Sequence, residues 1–210
     1  LEDMNIDLSS IWAGTIHQFC MRYIIRPYAM YSKRLCKGYQ IIDDYCKKKY
    51  GHEIAERLGI RLRNFDDPFQ YENIRIAYER LLEEKKEIDF DTILLLSEEL
   101  LASCPFISSN IASVISSILV DEFQDTNERQ YLILSNIYKA NKSITLMFVG
   151  DANQAIYGSL GGVAKTKQEL ETLYETGFDS MSLKGCYRST QRLVDLYSRF
   201  EVSRTEAHSV

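Results

Sequence analysis

Two short apolar runs, each ending abruptly in polar side chains, constrain this chain more than any other feature. Ile118-Leu119-Val120 leads into Asp121-Glu122-Phe123-Gln124-Asp125-Thr126-Asn127, and Phe148-Val149 leads into Gly150-Asp151-Ala152-Asn153-Gln154-Ala155-Ile156-Tyr157-Gly158. A strand that is continuously apolar belongs in an α/β sheet covered on both faces, where ligands bind beyond the carboxyl ends of the strands. Asp121 and Glu122 therefore fall where substrate chemistry is expected. In nucleotide hydrolases of this layout one carboxylate holds Mg²⁺ through its water shell while a neighbouring acid orients the attacking water. Taken alone, Asp-Glu after a strand is also an ordinary turn. The second run shifts the balance: Gly150 lets the backbone turn sharply, Asp151 can accept bonds from that turn, and Gln154 is a neutral side chain able to sense a phosphate oxygen.

Along the chain, Ile11-Trp12-Ala13 reads as a strand end, and Thr15 as the N-cap of a helix through Phe19 and Ile24. Pro27 marks a boundary. Residues 27–67 are helical in tendency, broken at Gly38, Gly51 and Gly59, with a turn at Asp66-Asp67-Pro68. Tyr71, Ile74, Tyr78, Leu81 and Leu82 recur at helical spacing and predict an amphipathic helix ending near Lys86, so this region reads as a helical insertion outside any sheet. Asp89 and Asp91 start the next helix, which carries Ile93, Leu94, Leu96, Leu100 and Leu101 toward a core before Pro105. Then follow a strand at 118–120, a helix at 127–138, a strand at 144–149, a helix at 166–175, a strand at 180–183 and a helix from Thr190. Strands alternating with helices imply a parallel sheet.

The 210 residues suffice for one sizeable core. The chain shows no long apolar run and no basic-then-apolar leader, which sets no membrane and a cytoplasmic location as expectations. Five cysteines without a C-x-x-C pair and three dispersed histidines indicate neither a disulfide framework nor a metal cluster. The net charge of −5 gives no global sign of nucleic-acid binding, yet Arg22 to Tyr50 holds eight basic residues against Asp43 and Asp44. Six tyrosines are interleaved with them. That pattern can follow a phosphate backbone, or be a solvated face with tyrosines turned into a small core.

Asp121-Glu122-Phe123-Gln124-Asp125-Thr126-Asn127, Gly150 to Gly158, and Tyr187-Arg188-Ser189-Thr190 resemble, in order, motifs II, III and IV of the UvrD/Rep family of superfamily-1 DNA helicases. Gly14-Thr15-Ile16-His17-Gln18-Phe19-Cys20 resembles the family's earlier DNA-contacting segment, and Ile88 to Leu94 the helix that returns to the motor. The resemblance implies an α/β fold: a partial RecA-like P-loop NTPase motor domain with a parallel sheet and an inserted helical subdomain. It assigns 1–26 and 89–179 to the first motor domain, 27–88 to the insertion and 180–210 to the start of the second motor domain. It implies ATP and Mg²⁺ as cofactors, with Asp121 toward Mg²⁺, Glu122 activating water and Gln154 sensing the γ-phosphate. Arg188 would bring charge to that phosphate and Tyr187 would stack on the base. Thr15, His17 and Tyr157 match DNA-contacting positions.

The implied activity of the parent protein is ATP-driven 3′ to 5′ movement on single-stranded DNA and at single-strand/duplex junctions, with repair, recombination or defence proteins as accessory partners. The alternative is a DNA-binding or regulatory module that keeps the fold without turnover. No G-x-x-x-x-G-K-[ST] cradle occurs in these residues; Gly161-Gly162-Val163-Ala164-Lys165-Thr166 has alanine at the second glycine position and follows the acidic strand. The 210 residues alone are therefore expected to be inactive. Ser159 and Leu160 stand where the family has a large aromatic and Arg, and Cys186 where Asn is common.

Overall fold

A Thr hydroxyl ahead of a helix can accept from the amide three residues on, and a Gln at that position can return the bond. In the computed structural model, which describes residues 10–63, 66–151, 165–183, 185–197, 199 and 208–209, this capping box forms. Gln18 N donates to Thr15 Oγ1 at 3.3 Å and Thr15 N to Gln18 Oε1 at 2.9 Å, opening α1 (Ile16–Phe19). Residues 11–13 form no strand. Trp12 instead packs edge-on against Phe19 and Tyr23, at 5.6 and 5.7 Å between ring centres. The helix widens into a π-helical stretch, Cys20–Ile25, and continues as α2 (Arg26–Tyr28). Pro27 thus does not end the helix. It has no N–H to place, and the wider turn, with the Arg26 amide bonded to Met21 O, brings the backbone past it.

The expectation of a purely helical insertion is corrected at its margins, where β1 (Gln40–Ile41) and β2 (Glu87–Ile88) pair in parallel. Between them α3 (Asp44–Arg57) and α4 (Glu72–Lys85) bury Ile42, Ile54, Ala55, Ile74, Tyr78 and Leu82 in a core of their own. Gly38 and Gly59 break the chain as expected, at φ of 87° and 68°. Gly51 does not: it lies inside α3, where a Cβ would stand 3.0 Å from Pro68 Cβ and 3.1 Å from Phe69 Cζ. Close approach, not chain reversal, is what that glycine serves. Asp89 caps α5 (Phe90–Ser103), and Pro105 opens a helix the periodicity did not announce, α6 (Pro105–Ala112).

The chain divides into two compact units, residues 1–111 and 112–210. In the second, β3 (Ser117–Val120) and β4 (Thr145–Phe148) pair in parallel, with Ile118 beside Leu146 and Val120 beside Phe148. Capping boxes at Asn127/Gln130 and Thr166/Glu169 start α7 (Glu128–Ala140) and α8 (Lys167–Tyr174). One face of the strand pair packs on these helices: the Phe148 ring lies 5.4 Å from that of the buried Tyr174 and 6.3 Å from that of the buried Tyr131. On the other face Leu119 and Met147 are 64% and 53% exposed, so the expected covering of both faces is not supplied by these residues. The strand expected at 180–183 is absent too. Met181 and Leu183 lie exposed without a ladder partner, and the pairing falls instead on β5 (Gly185–Cys186) with β6 (His208–Ser209), ahead of and beyond α9 (Gln191–Tyr197). Among the described residues no helix is long and apolar enough to cross a membrane.

Candidate nucleotide-hydrolysis site

A parallel pair brings the ends of two sequence-distant strands to one edge, so whatever follows β3 must meet whatever follows β4. The meeting is close. Phe123 N donates to Val149 O at 3.0 Å, and Val149 N to Val120 O at 2.8 Å, extending the ladder past both strands. Asp121 and Glu122 leave β3 exposed, and Asp121 Oδ1 accepts the Glu122 amide at 3.0 Å. Glu122 itself has φ 50°, ψ 46°. Two other non-glycine residues with positive φ, Lys86 and Glu175, end helices; Glu122 follows a strand. A side chain in this left-handed region costs roughly 1–2 kcal/mol, and holding it there requires surrounding bonds.

Those bonds come from the turn. Asp125 N donates to Glu122 O at 2.9 Å, and Gln124 Nε2 donates to Glu122 Oε2 at 2.6 Å. The Tyr131 hydroxyl donates to Phe123 O at 2.7 Å, pinning the turn to α7. Burial pushes the Tyr131 phenol up to about 12, so it stays a donor. Gln124, only 3% exposed, also accepts the Asp151 amide on Oε1 at 3.0 Å. Gly150 makes room for it: a Cβ there would lie 2.1 Å from Gln124 Oε1 and 3.0 Å from Phe123 N. The glycine expected to supply a sharp turn thus supplies clearance between two loops.

Asp121 offers hard carboxylate oxygens, exposed at a strand exit, that fit a Mg²⁺ keeping most of its water. Gln154 and Tyr157, together with Ser159 and Leu160, lie outside the described residues. Tyr187, 84% exposed, and Arg188 follow β5 on the surface. The Cys186 thiol beside them is held below its ordinary value by the backbone amides of Arg188 and Ser189. In the first unit Thr15 spends its hydroxyl on the helix cap, and His17 packs edge-on against Phe90 at 5.7 Å. Burial lowers the His17 pKa, partly countered by the Asp91 charge.

Sequence reasoning misses two bridging side chains. Gln124 reads along the chain only as one letter of a motif, although an amide set between acids at a strand exit is a signal for a bridging group. Lys47, which in sequence belongs to the basic stretch, is instead turned toward Asp89 (3.3 Å) and Asp91, both of which it pairs with. Asp89 is 3% exposed and further accepts from Thr92 N at 2.8 Å, Thr92 Oγ1 at 2.6 Å and the Tyr78 hydroxyl at 2.9 Å. Lys49 pairs with Glu53 at 3.9 Å.

Residues 48–175 match the family described as the UvrD/REP helicase N-terminal domain. Over 88% of this chain it is 27% identical to the ATP-dependent DNA helicase PcrA of Leuconostoc citreum, covering 28% of that protein. Over 91% of the chain it is 25% identical to DNA helicase II of Escherichia coli, covering 30% of that protein. With ATP-dependent DNA helicase UvrD1 of Mycobacterium tuberculosis it shares 24% identity over 88% of the chain, or 28% of the relative. The chain therefore spans less than a third of the length of these curated relatives.

Proposed function

This chain belongs to the UvrD/REP helicase family, and from that membership we propose that the protein carrying it is an ATP-driven DNA translocase moving 3′ to 5′ on single-stranded DNA. The observation that carries the reading is the joined exit of β3 and β4, where Glu122 is held in a strained backbone by bonds from its own turn and that turn is tied to Asp151. Bound Mg²⁺, met by Asp121, would supply charge for the phosphates. Glu122 would then orient the attacking water and accept its proton, Gln154 would sense the γ-phosphate, and Arg188 and Tyr187 would reach the nucleotide from the second motor domain. Residues 1–26 and 89–179 are assigned to the first motor domain and 27–88 to an inserted subdomain, a division supported by the separate core around Ile54, Ile74 and Tyr78.

Two results test this. The full-length protein is expected to hydrolyse ATP in a DNA-stimulated manner, whereas the 210-residue chain alone, whose sequence has no phosphate cradle, is expected to show no turnover above background. Turnover by the chain alone, abolished by Glu122→Gln, would overturn the second expectation; no turnover by the full-length protein would overturn the first.

Within the basic stretch the two lysine classes should separate. Lys48→Gln in the full-length protein is expected to flatten the slope of log affinity for duplex-tailed DNA against log salt by up to about 0.9, the effect of leaving one phosphate without its cation. Lys47→Gln should leave that slope unchanged, because its charge is already spent on Asp89 and Asp91. Fluorescence anisotropy across a salt series reads both.

A further inference from the structure

The Gln124 side chain is more than nine-tenths buried and uses both ends of its amide across two loops: Nε2 donates to Glu122 Oε2 at 2.6 Å and Oε1 accepts the Asp151 amide at 3.0 Å. The two partners demand the same orientation. Turned over, the amide would set its NH₂ against the Asp151 N–H and its carbonyl against a carboxylate. No other uncharged side chain of this length offers a donor and an acceptor on one rigid plane. Gly150 completes the arrangement, since any Cβ there would occupy the place of Gln124 Oε1.

We infer that Gln124 is a positioning residue that ties the backbone after β4 to the carboxylate of Glu122, so that a shift of the Asp151 segment moves the group that activates water. This rests on the hydrolytic reading given above. Glu122 sits in a left-handed backbone, a conformation that persists only where the surrounding bonds fix it. Phe123 is bound to Val149 and to the Tyr131 hydroxyl, which fixes the base of the turn while the Gln124 side chain spans to Asp151. Motion at Asp151 thus reaches the Glu122 carboxylate through the Gln124 amide.

Gln124→Glu separates the two halves of the link. The new carboxylate still accepts the Asp151 N–H but cannot donate to Glu122, and repels it while ionised. In the full-length protein kcat for DNA-stimulated ATP hydrolysis is expected to fall about ten- to a hundred-fold at pH 8, with the KM for ATP within about two-fold of the parent. Gln124→Leu should lose kcat as well, and its Asp151 amide should exchange with deuterium about ten-fold faster, while in Gln124→Glu that amide stays as protected as in the parent. A Gln124→Glu variant with parental kcat at pH 8, or with an Asp151 amide that exchanges faster than in the parent, would overturn the inference. If the unsubstituted protein proves to have no ATPase, the hydrolytic reading fails, and the link itself is then judged by exchange: unchanged Asp151 protection in Gln124→Leu overturns it, and accelerated exchange upholds it.

Discussion

Glu122→Gln in the full-length protein is expected to lower kcat for DNA-stimulated ATP hydrolysis by about 10²- to 10⁴-fold, the usual worth of a positioned general base. ATP binding should be nearly unchanged. The amide is isosteric, and its carbonyl can keep the bond from Gln124 Nε2 that now goes to Glu122 Oε2. The strained backbone at Glu122 is held by Asp125 N and by the neighbouring pairing of Phe123 with Val149, neither of which involves the side chain. What disappears is the acceptor for the water proton. Single-turnover hydrolysis beside equilibrium nucleotide binding separates the two quantities. Hydrolysis within about ten-fold of the parent would move the base elsewhere and leave Glu122 a structural acid.

Asp89→Ala is expected to destabilise the first unit by about 3 kcal/mol, because it strips a buried carboxylate from Lys47, Tyr78 and Thr92 together and leaves the lysine and the phenol facing an empty place. Lys47 is then driven back to water or to Asp91 alone. The same site predicts a pH dependence. Burial by itself would raise the Asp89 pKa, but the bonds from Thr92, the Lys47 charge and the Tyr78 hydroxyl outweigh it and hold the carboxyl below its ordinary value. A depressed folded-state value means stabilisation that is complete above the ordinary aspartate range near 3.9 and is lost as pH falls through the lower folded value. The parent should therefore lose more stability in that acid window than Asp89→Ala does. Urea denaturation, with exchange of the Thr92 amide as the local readout, checks both; a loss below about 1 kcal/mol would mean the network is solvated.

Lys47 also shows why charge counts along a chain mislead. Eight basic residues between Arg22 and Tyr50 look like one surface. In the folded unit Lys47 is half-buried against α5, and Arg34 turns a guanidinium nitrogen toward Glu87 O at 3.5 Å. Lys48 remains exposed. The aromatic residues divide in the same way: Tyr78 and Phe69 pack edge-on at 4.8 Å in the core formed with α3 and α4, whereas Tyr45 stands in solvent.

What the sequence by itself determined is what closes within a few residues. Thr15 with Gln18, Asn127 with Gln130 and Thr166 with Glu169 set helix starts because each cap bonds three positions on, and the apolar runs of β3 and β4 need no distant residue to be read. The motif order likewise carried the family, which the match over residues 48–175 bears out. Only the tertiary structure decided the rest. Gln124 meets Asp151 across 27 positions and Lys47 meets Asp91 across 44, and Gly51 and Gly150 are glycines because of neighbours that arrive from elsewhere in the chain. The strand that fails at 180–183 and the open face of Leu119 and Met147 have the same origin: a ladder or a covering layer is a property of two segments, and one segment's composition cannot say whether its partner comes.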